Sequence, residues 1–172
     1  MMLIRSTLAA ALALAGAVAS SAWADSSHSA TWTQKIITPE VALKAAQAAR
    51  VECEKHGWQV SVTVADPSGL ALVMLRDRYA GWHTVEAANG KARTAASWRD
   101  ATSNVAARVT RPDAAEKAIM NLPGVVMIGG ALPIDSSGQM VGTIGVSGAP
   151  GGENDDICAK AGIAAIEGDL AF

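Results

Sequence analysis

Aromatic residues are scarce in this chain, since phenylalanine, tyrosine and tryptophan make up 4% of its 172 residues. Half of the residues are nevertheless hydrophobic, and alanine and valine supply much of that half. The core must therefore consist of small and branched side chains. Such a core suits helices that lie closely on a sheet.

Positive charge is not in excess either. The formal net charge is −2, a balance that attracts neither nucleic acid nor an anionic membrane surface in bulk. The only long apolar run, residues 8–19, falls short of the roughly 20 residues that a membrane span needs. We therefore expect no nucleic-acid partner and no membrane span.

The short motifs that identify the large enzyme and cofactor classes are missing. The sequence has no P-loop, no GxGxxG after a strand, no CxxCH for covalent haem, no zinc-type cysteine pair and no GxSxG. It has only two cysteines and three histidines. Function has to be inferred from a few residues in their local context.

The first 24 residues have the three parts of a secretory signal. Arg5 stands near the start, the apolar run follows, and Ala22-Trp23-Ala24 forms a small-x-small cleavage site. We expect cleavage after Ala24 and export to the periplasm or the medium. Residues 25–37 are polar and aperiodic, which is typical of a tail before a folded domain.

Helix and strand signals follow one another from Thr38 onward. Thr38 can cap a helix that begins at Pro39 and ends near His56, before Gly57. The alternating segment QVSVTVA, the turn DPSG at 66–69 and LALVMLR predict a hairpin. Two more helices are predicted next, one opened by Thr84 and a short one between Pro112 and Pro123. Two or three extended segments and a last helix follow. This order predicts an α+β domain with an antiparallel sheet.

The stretch YAGWHTVEAANGKARTAASW at 79–98 concentrates the candidate functional residues. His83 stands at a helix start, and a neutral imidazole is a common ligand of haem iron. Trp82 beside it offers a flat apolar face on which a macrocycle or an aromatic substrate can stack. The alternative is a solvated loop histidine beside a half-buried tryptophan.

Further along this helix, Lys91 and Arg93 can bind carboxylates, Arg93 through a planar two-point contact and Lys91 as a point charge. The alternative is ion pairing with Glu86 or Asp100. Gly90 costs about 1 kcal/mol in a helix interior relative to alanine, which indicates close packing of another helix, at a subunit interface or within the chain. Spacing by three and four residues predicts one stripe that contains His83, Ala87, Lys91, Thr94 and Trp98.

Glycine-rich segments bring backbone amides together near the last helix. GGALPI and GVSGAPGGEND place several unhindered amides at the start of that helix, where an anion is stabilised without a basic side chain. The other two histidines point to structural roles: His56 lies in the last turn of the first helix, where a cation favours the dipole, and His28 lies in the tail.

Three blocks resemble the GlcG/HbpS family, also called the haem-degrading domain family: KARTAASW at 91–98, LPGVVMIGGALPI, and VGTIGVSGAPGGENDDICAKAGIAAI. The resemblance runs from Thr38 to about Ile166 and keeps the order and spacing of the blocks. It implies that residues 38–172 form one domain with a central antiparallel sheet of about five strands flanked by helices, similar to profilin-like or roadblock-like domains. It also implies a homo-oligomer, from a tetramer to an octamer.

Two functions are consistent with these residues. In the first, which the resemblance and the signal favour, an exported protein binds haem through Trp82, His83, Lys91, Arg93 and Thr94, with His83 as the iron ligand, and sequesters or degrades it. In the second, a cofactor-independent lyase, isomerase or decarboxylase uses His83 and Glu86 as acid and base, while Lys91 or Arg93 holds the carboxylate of a small acid. Both functions require the same cleft.

The two cysteines, Cys53 and Cys158, can form one disulfide in an exported chain. The resemblance implies that their helices lie on the same side of the sheet. The alternative is a pair of small buried hydrophobic side chains.

Overall fold

A computed structural model describes residues 30–171 of the chain. The proposed signal segment, its cleavage site and His28 lie outside the described residues. Within residues 30–171, every helix and strand belongs to the unit that starts at Thr33.

The centre of this unit is an antiparallel sheet of four strands. They are β1 (Ser61–Ala65), β2 (Ala71–Arg76), β3 (Ala131–Ser136) and β4 (Gln139–Ser147), in the spatial order β2-β1-β4-β3. β1 pairs with β2 and β3 with β4 as hairpins, and β1 pairs with β4 in the middle of the sheet. The α+β class with a central antiparallel sheet is confirmed.

The expected number of about five strands is too high, because the described residues form four. Residues 125–130 have the apolar composition of a strand but are irregular. Val126 N donates to Thr94 Oγ1 at 3.0 Å, and Gly130 N donates to Asp156 Oδ1 at 2.6 Å. These amides therefore bond to side chains of two helices instead of joining a ladder.

The first helix and the first hairpin form as the sequence predicts. Thr38 Oγ1 accepts a hydrogen bond from Val41 N, and Gly57 after the helix has a φ of 74°. In the hairpin turn, Asp66 Oδ1 accepts from the amides of Ser68 and Leu70 at 2.8 and 2.9 Å. Both structures depend on neighbours in the sequence, which is why local patterns predict them.

The remaining helices differ in detail from the expectation. The second helix begins at Trp82, two residues before Thr84, and the expected helix after Pro112 is a 3-10 helix (Ala115–Asn121) with a separate α-helix before it. No helix within residues 30–171 is long and apolar enough to cross a bilayer. The helices are α1 (Pro39–Lys55), α2 (Trp82–Trp98), α3 (Thr102–Val109), α4 (Gly152–Ala164) and α5 (Glu167–Leu170).

The two faces of the sheet are covered differently. α1 and α4 pack on one face, over a core of valines and isoleucines from β1 and β4 and alanines from α1. α2 packs on the other face, where the strands present small residues. A Cβ at Gly145 of β4 would lie 2.8 Å from Ala92 N of α2. The helix therefore rests directly on the strand backbone, as the scarcity of large side chains predicts.

Cys53 of α1 and Cys158 of α4 are joined in a disulfide, with their Cα atoms 5.5 Å apart. The bridge ties together the two helices that share one face of the sheet. It is therefore part of the same layer as the main hydrophobic core.

Candidate functional site

A cleft of about 320 Å³ opens between the start of α2, the segment before β3 and the start of α4. We call it the His83 cleft. α2 contributes His83, Ala87 and Lys91 to it. Thr94 and Trp98, which the spacing by three and four residues predicts on the same stripe, line a second cleft instead. The remaining lining residues come from the glycine-rich segments and α4: Val126, Ile128, Ser147, Gly148, Ala149, Gly151, Gly152 and Asp155.

His83 lies exposed at this cleft. Its imidazole folds back over Gly81, where a Cβ would lie 2.7 Å from His83 Cε1. Within the described part of the chain, neither ring nitrogen has a hydrogen-bond or ion-pair partner. The imidazole is therefore held beside the cleft with both nitrogens available to a ligand.

Trp82 stands next to His83, with its indole 76% exposed. The two rings meet edge to face, with centroids 6.0 Å apart. Trp82 does not line the cleft itself, so its ring is an apolar surface beside the mouth.

Lys91 is buried, with 3% of its side chain exposed, and is fully used by the protein. Its Nζ lies 2.6 Å from Asp155 Oδ2 and donates to Val146 O at 3.0 Å. The partner is neither Glu86 nor Asp100, the two acids that the sequence offered. Lys91 therefore joins α2 to α4 across the sheet edge, and its charge is already compensated.

Asp155 is the functional residue that sequence reasoning missed. Burial raises the pKa of its carboxyl group, against the opposing effects of the Lys91 charge and of hydrogen bonds from Lys91 and the Ala149 amide. Asp155 Oδ1 accepts from Ala149 N at 2.9 Å, so this carboxylate also fixes the loop before α4. In the sequence, Asp155 stands three positions after Gly152 in the first turn of the last helix, a place that by itself indicates only a complement to the helix dipole.

The glycines around this pair allow a close approach. A Cβ at Gly130, whose φ is 121°, would lie 2.7 Å from Asp155 Cβ and 2.8 Å from Lys91 Nζ. α4 begins after Gly151 with no side chain capping its first amides, and Gly152 lines the cleft. The expected cluster of backbone amides is therefore at the cleft, where the helix start favours a negative charge.

The other candidate residues of α2 lie elsewhere. Arg93 and Thr94 line a second cleft, and Glu86 is exposed and lines neither cleft. Thr94 Oγ1 donates to Gly90 O and accepts from Val126 N, which makes it a structural contact. Arg93 is two residues beyond Lys91, about 200° further around the helix, so the two cations cannot serve one ligand in one cleft.

Gly90 separates the two clefts. A Cβ at this position would lie 2.5 Å from Val126 Cγ2 and 3.4 Å from Gly124 O. The close neighbour is therefore a loop of the same chain and not a second helix. Gly90 gives no support to a subunit interface.

Comparison with known proteins supplies independent findings. Residues 37–164 match a family described as haem-degrading protein, HbpS-like. Protein GlcG of Escherichia coli K12 is 30% identical over 115 residues, which are 67% of this chain and 84% of GlcG.

Solved structures give the same result. A double mutant of HbpS from Streptomyces reticuli is 35% identical, covers 93% of this chain and 99% of its own, and superposes with a TM-score of 0.74. A PduOC:heme complex is 28% identical, covers 77% of this chain and 96% of its own, and has a TM-score of 0.69.

Proposed function

Because this chain belongs to the family of HbpS-like haem-degrading proteins, we propose that it is an exported protein that binds haem at the His83 cleft. Family membership confirms the resemblance inferred from the sequence blocks. The observation that carries the proposal is the imidazole of His83, which lies at a cleft without a partner among the described residues. The structural neighbour that is a heme complex supports the same ligand.

The residues of the cleft fit a haem better than a bare metal ion. Within residues 30–171, no group of three histidine, cysteine or acidic side chains could hold a metal ion. A porphyrin brings its own nitrogen ligands, so a single histidine from the protein is sufficient. His83 is the residue that would hold the haem iron.

The size of the cleft restricts how a macrocycle binds. Ligand pockets span about 300–1,000 Å³, and the His83 cleft is at the small end of that range. Ala87, Val126 and Ile128 would offer the macrocycle an apolar surface inside the cleft, and the exposed ring of Trp82 would offer another beside it. Bound haem would supply iron-centred redox chemistry; the chain's own residues would hold and orient it.

The carboxylates of such a ligand would be stabilised at the start of α4, where Gly152 presents uncapped amides. Lys91 shapes the cleft but does not offer a free charge, since Asp155 is bound to it. Arg93 lies in the other cleft. These positions revise the assignment of haem carboxylates to Lys91 and Arg93.

The acid-base alternative has less support. It needs His83 and Glu86 to face one substrate, and Glu86 does not line the His83 cleft. Haem sequestration, with or without degradation, is the function that the geometry supports best.

Export and assembly complete the proposal. The signal-like segment and the disulfide between Cys53 and Cys158 support an oxidising compartment, the periplasm or the medium. We further propose that the mature protein is a homo-oligomer between a tetramer and an octamer. Sedimentation of the mature protein at micromolar concentration tests this, and a monomer would contradict it.

The test of the haem site is a titration of the mature protein with hemin, read from the Soret band. Wild type should give a sharp, saturable band, and His83→Ala should shift the band and weaken binding. His56→Ala is the matched control, because His56 is also exposed beside a tryptophan, Trp58. Unchanged spectrum and affinity in His83→Ala would refute the assignment.

A further inference from the structure

The second cleft has a volume of about 290 Å³. The contact between Gly90 and Val126 separates it from the His83 cleft. We call it the Arg93 cleft. α2 contributes Arg93, Ser97 and Trp98, the hairpin turn contributes Ser68, and the 3-10 helix and the loop after it contribute apolar side chains that include Ile119 and Leu122. None of these residues lines the His83 cleft.

The Arg93 guanidinium has no hydrogen-bond or ion-pair partner within residues 30–171. The two nearest acids along the chain, Glu86 and Asp100, are each seven positions from Arg93. Glu86 lines neither cleft, and Asp100 faces Arg108, with its Oδ2 3.7 Å from Arg108 Nη1. The five N–H donors of Arg93 are therefore free, and its positive charge is not compensated in the described part of the protein.

Arg93 is exposed, and its side chain passes beside two glycines. A Cβ at Gly69 would lie 3.1 Å from Arg93 Cα and 3.3 Å from its Cγ, and a Cβ at Gly124 would lie 3.1 Å from Nη1. Both glycines have a positive φ, 80° and 82°. The absence of a side chain at both glycines leaves the approach to the Arg93 guanidinium open from the cleft.

The wall of the cleft beside Arg93 is apolar and includes an aromatic ring. Trp98 is half-buried, and Arg108 lies over its ring with the guanidinium carbon 4.9 Å from the centroid. Ser68 and Ser97 add hydroxyl groups at the rim. The cleft thus combines one unpaired cation, one aromatic ring and two neutral hydroxyl groups.

We propose that the Arg93 cleft binds a small organic carboxylate with an aromatic or branched apolar body. The carboxylate makes a two-point contact with the Arg93 guanidinium, and the apolar body lies against Trp98 and Leu122. This site is separate from the haem site and does not depend on it.

The probe for this proposal is benzoate, compared with benzamide, which has nearly the same shape and no charge. Binding to the mature wild-type protein is followed by NMR of the tryptophan indole N–H signals. Benzoate should shift the Trp98 signal in a saturable manner and leave Trp58 and Trp82 unchanged. Benzamide should bind at least about tenfold more weakly, because it lacks the charge that Arg93 recognises.

Arg93→Gln should weaken benzoate binding at least about tenfold, while Arg78→Gln, which removes an exposed arginine elsewhere, should leave it unchanged. Hemin binding should be the same in Arg93→Gln and wild type, so the two sites are tested independently. Equal binding of benzoate and benzamide, equal binding by Arg93→Gln and wild type, or no saturable shift of Trp98 would each overturn the proposal.

Discussion

Replacing Lys91 by methionine should reveal how strongly the buried ion pair at the His83 cleft stabilises the protein. Methionine keeps the length of the side chain but removes its charge and donors. Asp155 would then be a buried carboxylate with only the Ala149 amide as partner, and Val146 O would lose its donor. Removing one partner of a buried pair typically costs about 3–5 kcal/mol, and we expect a loss in this range at pH 7.

The loss should depend on pH in a defined direction. Burial already raises the pKa of the Asp155 carboxyl, and Lys91 is the main opposing charge, so the variant should have a still higher pKa in the folded state. At pH values between the unfolded pKa of an aspartate, about 3.9, and the raised pKa of Asp155 in the folded state, the folded protein retains a proton that the unfolded protein has lost. Stability therefore falls as pH rises through this window, by about 1.4 kcal/mol per pH unit, and the penalty of Lys91→Met shrinks as pH is lowered.

The assay is urea unfolding followed by circular dichroism, for wild type and variant, at a series of pH values between 4 and 8, with the disulfide intact. Subtracting the wild-type curve removes the contributions of the other titrating groups. Lys44→Met is the matched control, because Lys44 pairs with Asp169 at 2.7 Å, a similar distance, but both side chains are exposed. That exposed pair should contribute about 0–1 kcal/mol.

Two results would refute this reasoning. One is a penalty for Lys91→Met no larger than that for Lys44→Met. The other is a large penalty that does not change with pH, which would show that Asp155 stays ionised in the variant and that burial does not control its protonation.

Three further changes test other parts of the structure. Gly145→Ala should destabilise the protein by about 1–3 kcal/mol, since its Cβ would press on the backbone of α2; Gly168→Ala, with open space at its Cβ, should be neutral or slightly stabilising. Cys53 and Cys158 should resist alkylation in unfolded, unreduced protein, and replacing both by alanine should cost about 2–5 kcal/mol in urea unfolding; labelling of both thiols would contradict the bridge. Protein recovered from the periplasm or the medium should begin at Asp25 by intact mass, whereas a retained Met1 would argue against export by this signal.

Local signals in the sequence were sufficient for the elements whose contacts are local. The cap at Thr38, the turn at 66–69 and the alternation in β1 each depend on residues a few positions apart. Residues 125–130 have the apolar composition of a strand, but the amides of Val126 and Gly130 bond to Thr94 and Asp156, which are distant in sequence. Composition cannot show such partners.

The same limit applies to the site. Helical spacing predicts one stripe, of which His83 and Lys91 line the His83 cleft, whereas Thr94 and Trp98 line the Arg93 cleft. It could not identify Asp155 as the partner of Lys91, since the two residues are 64 positions apart. Nor could it show that Arg93 lies between Gly69 and Gly124, which belong to two separate loops.

The strand order also has a consequence for the biosynthesis of the protein. β1 completes its central pairing only with β4, which is near the end of the chain, and the disulfide likewise joins residues separated by 105 positions. A nascent chain that stops before β4 would leave β1 as an unpaired edge next to an uncovered core, a state prone to aggregation. The domain therefore reaches its native form only after almost all of it has been synthesised, and the long-range pairing makes that step slow compared with helix formation. Late folding of this kind keeps a chain extended for longer, which is what the export that we propose would require for passage through a narrow channel.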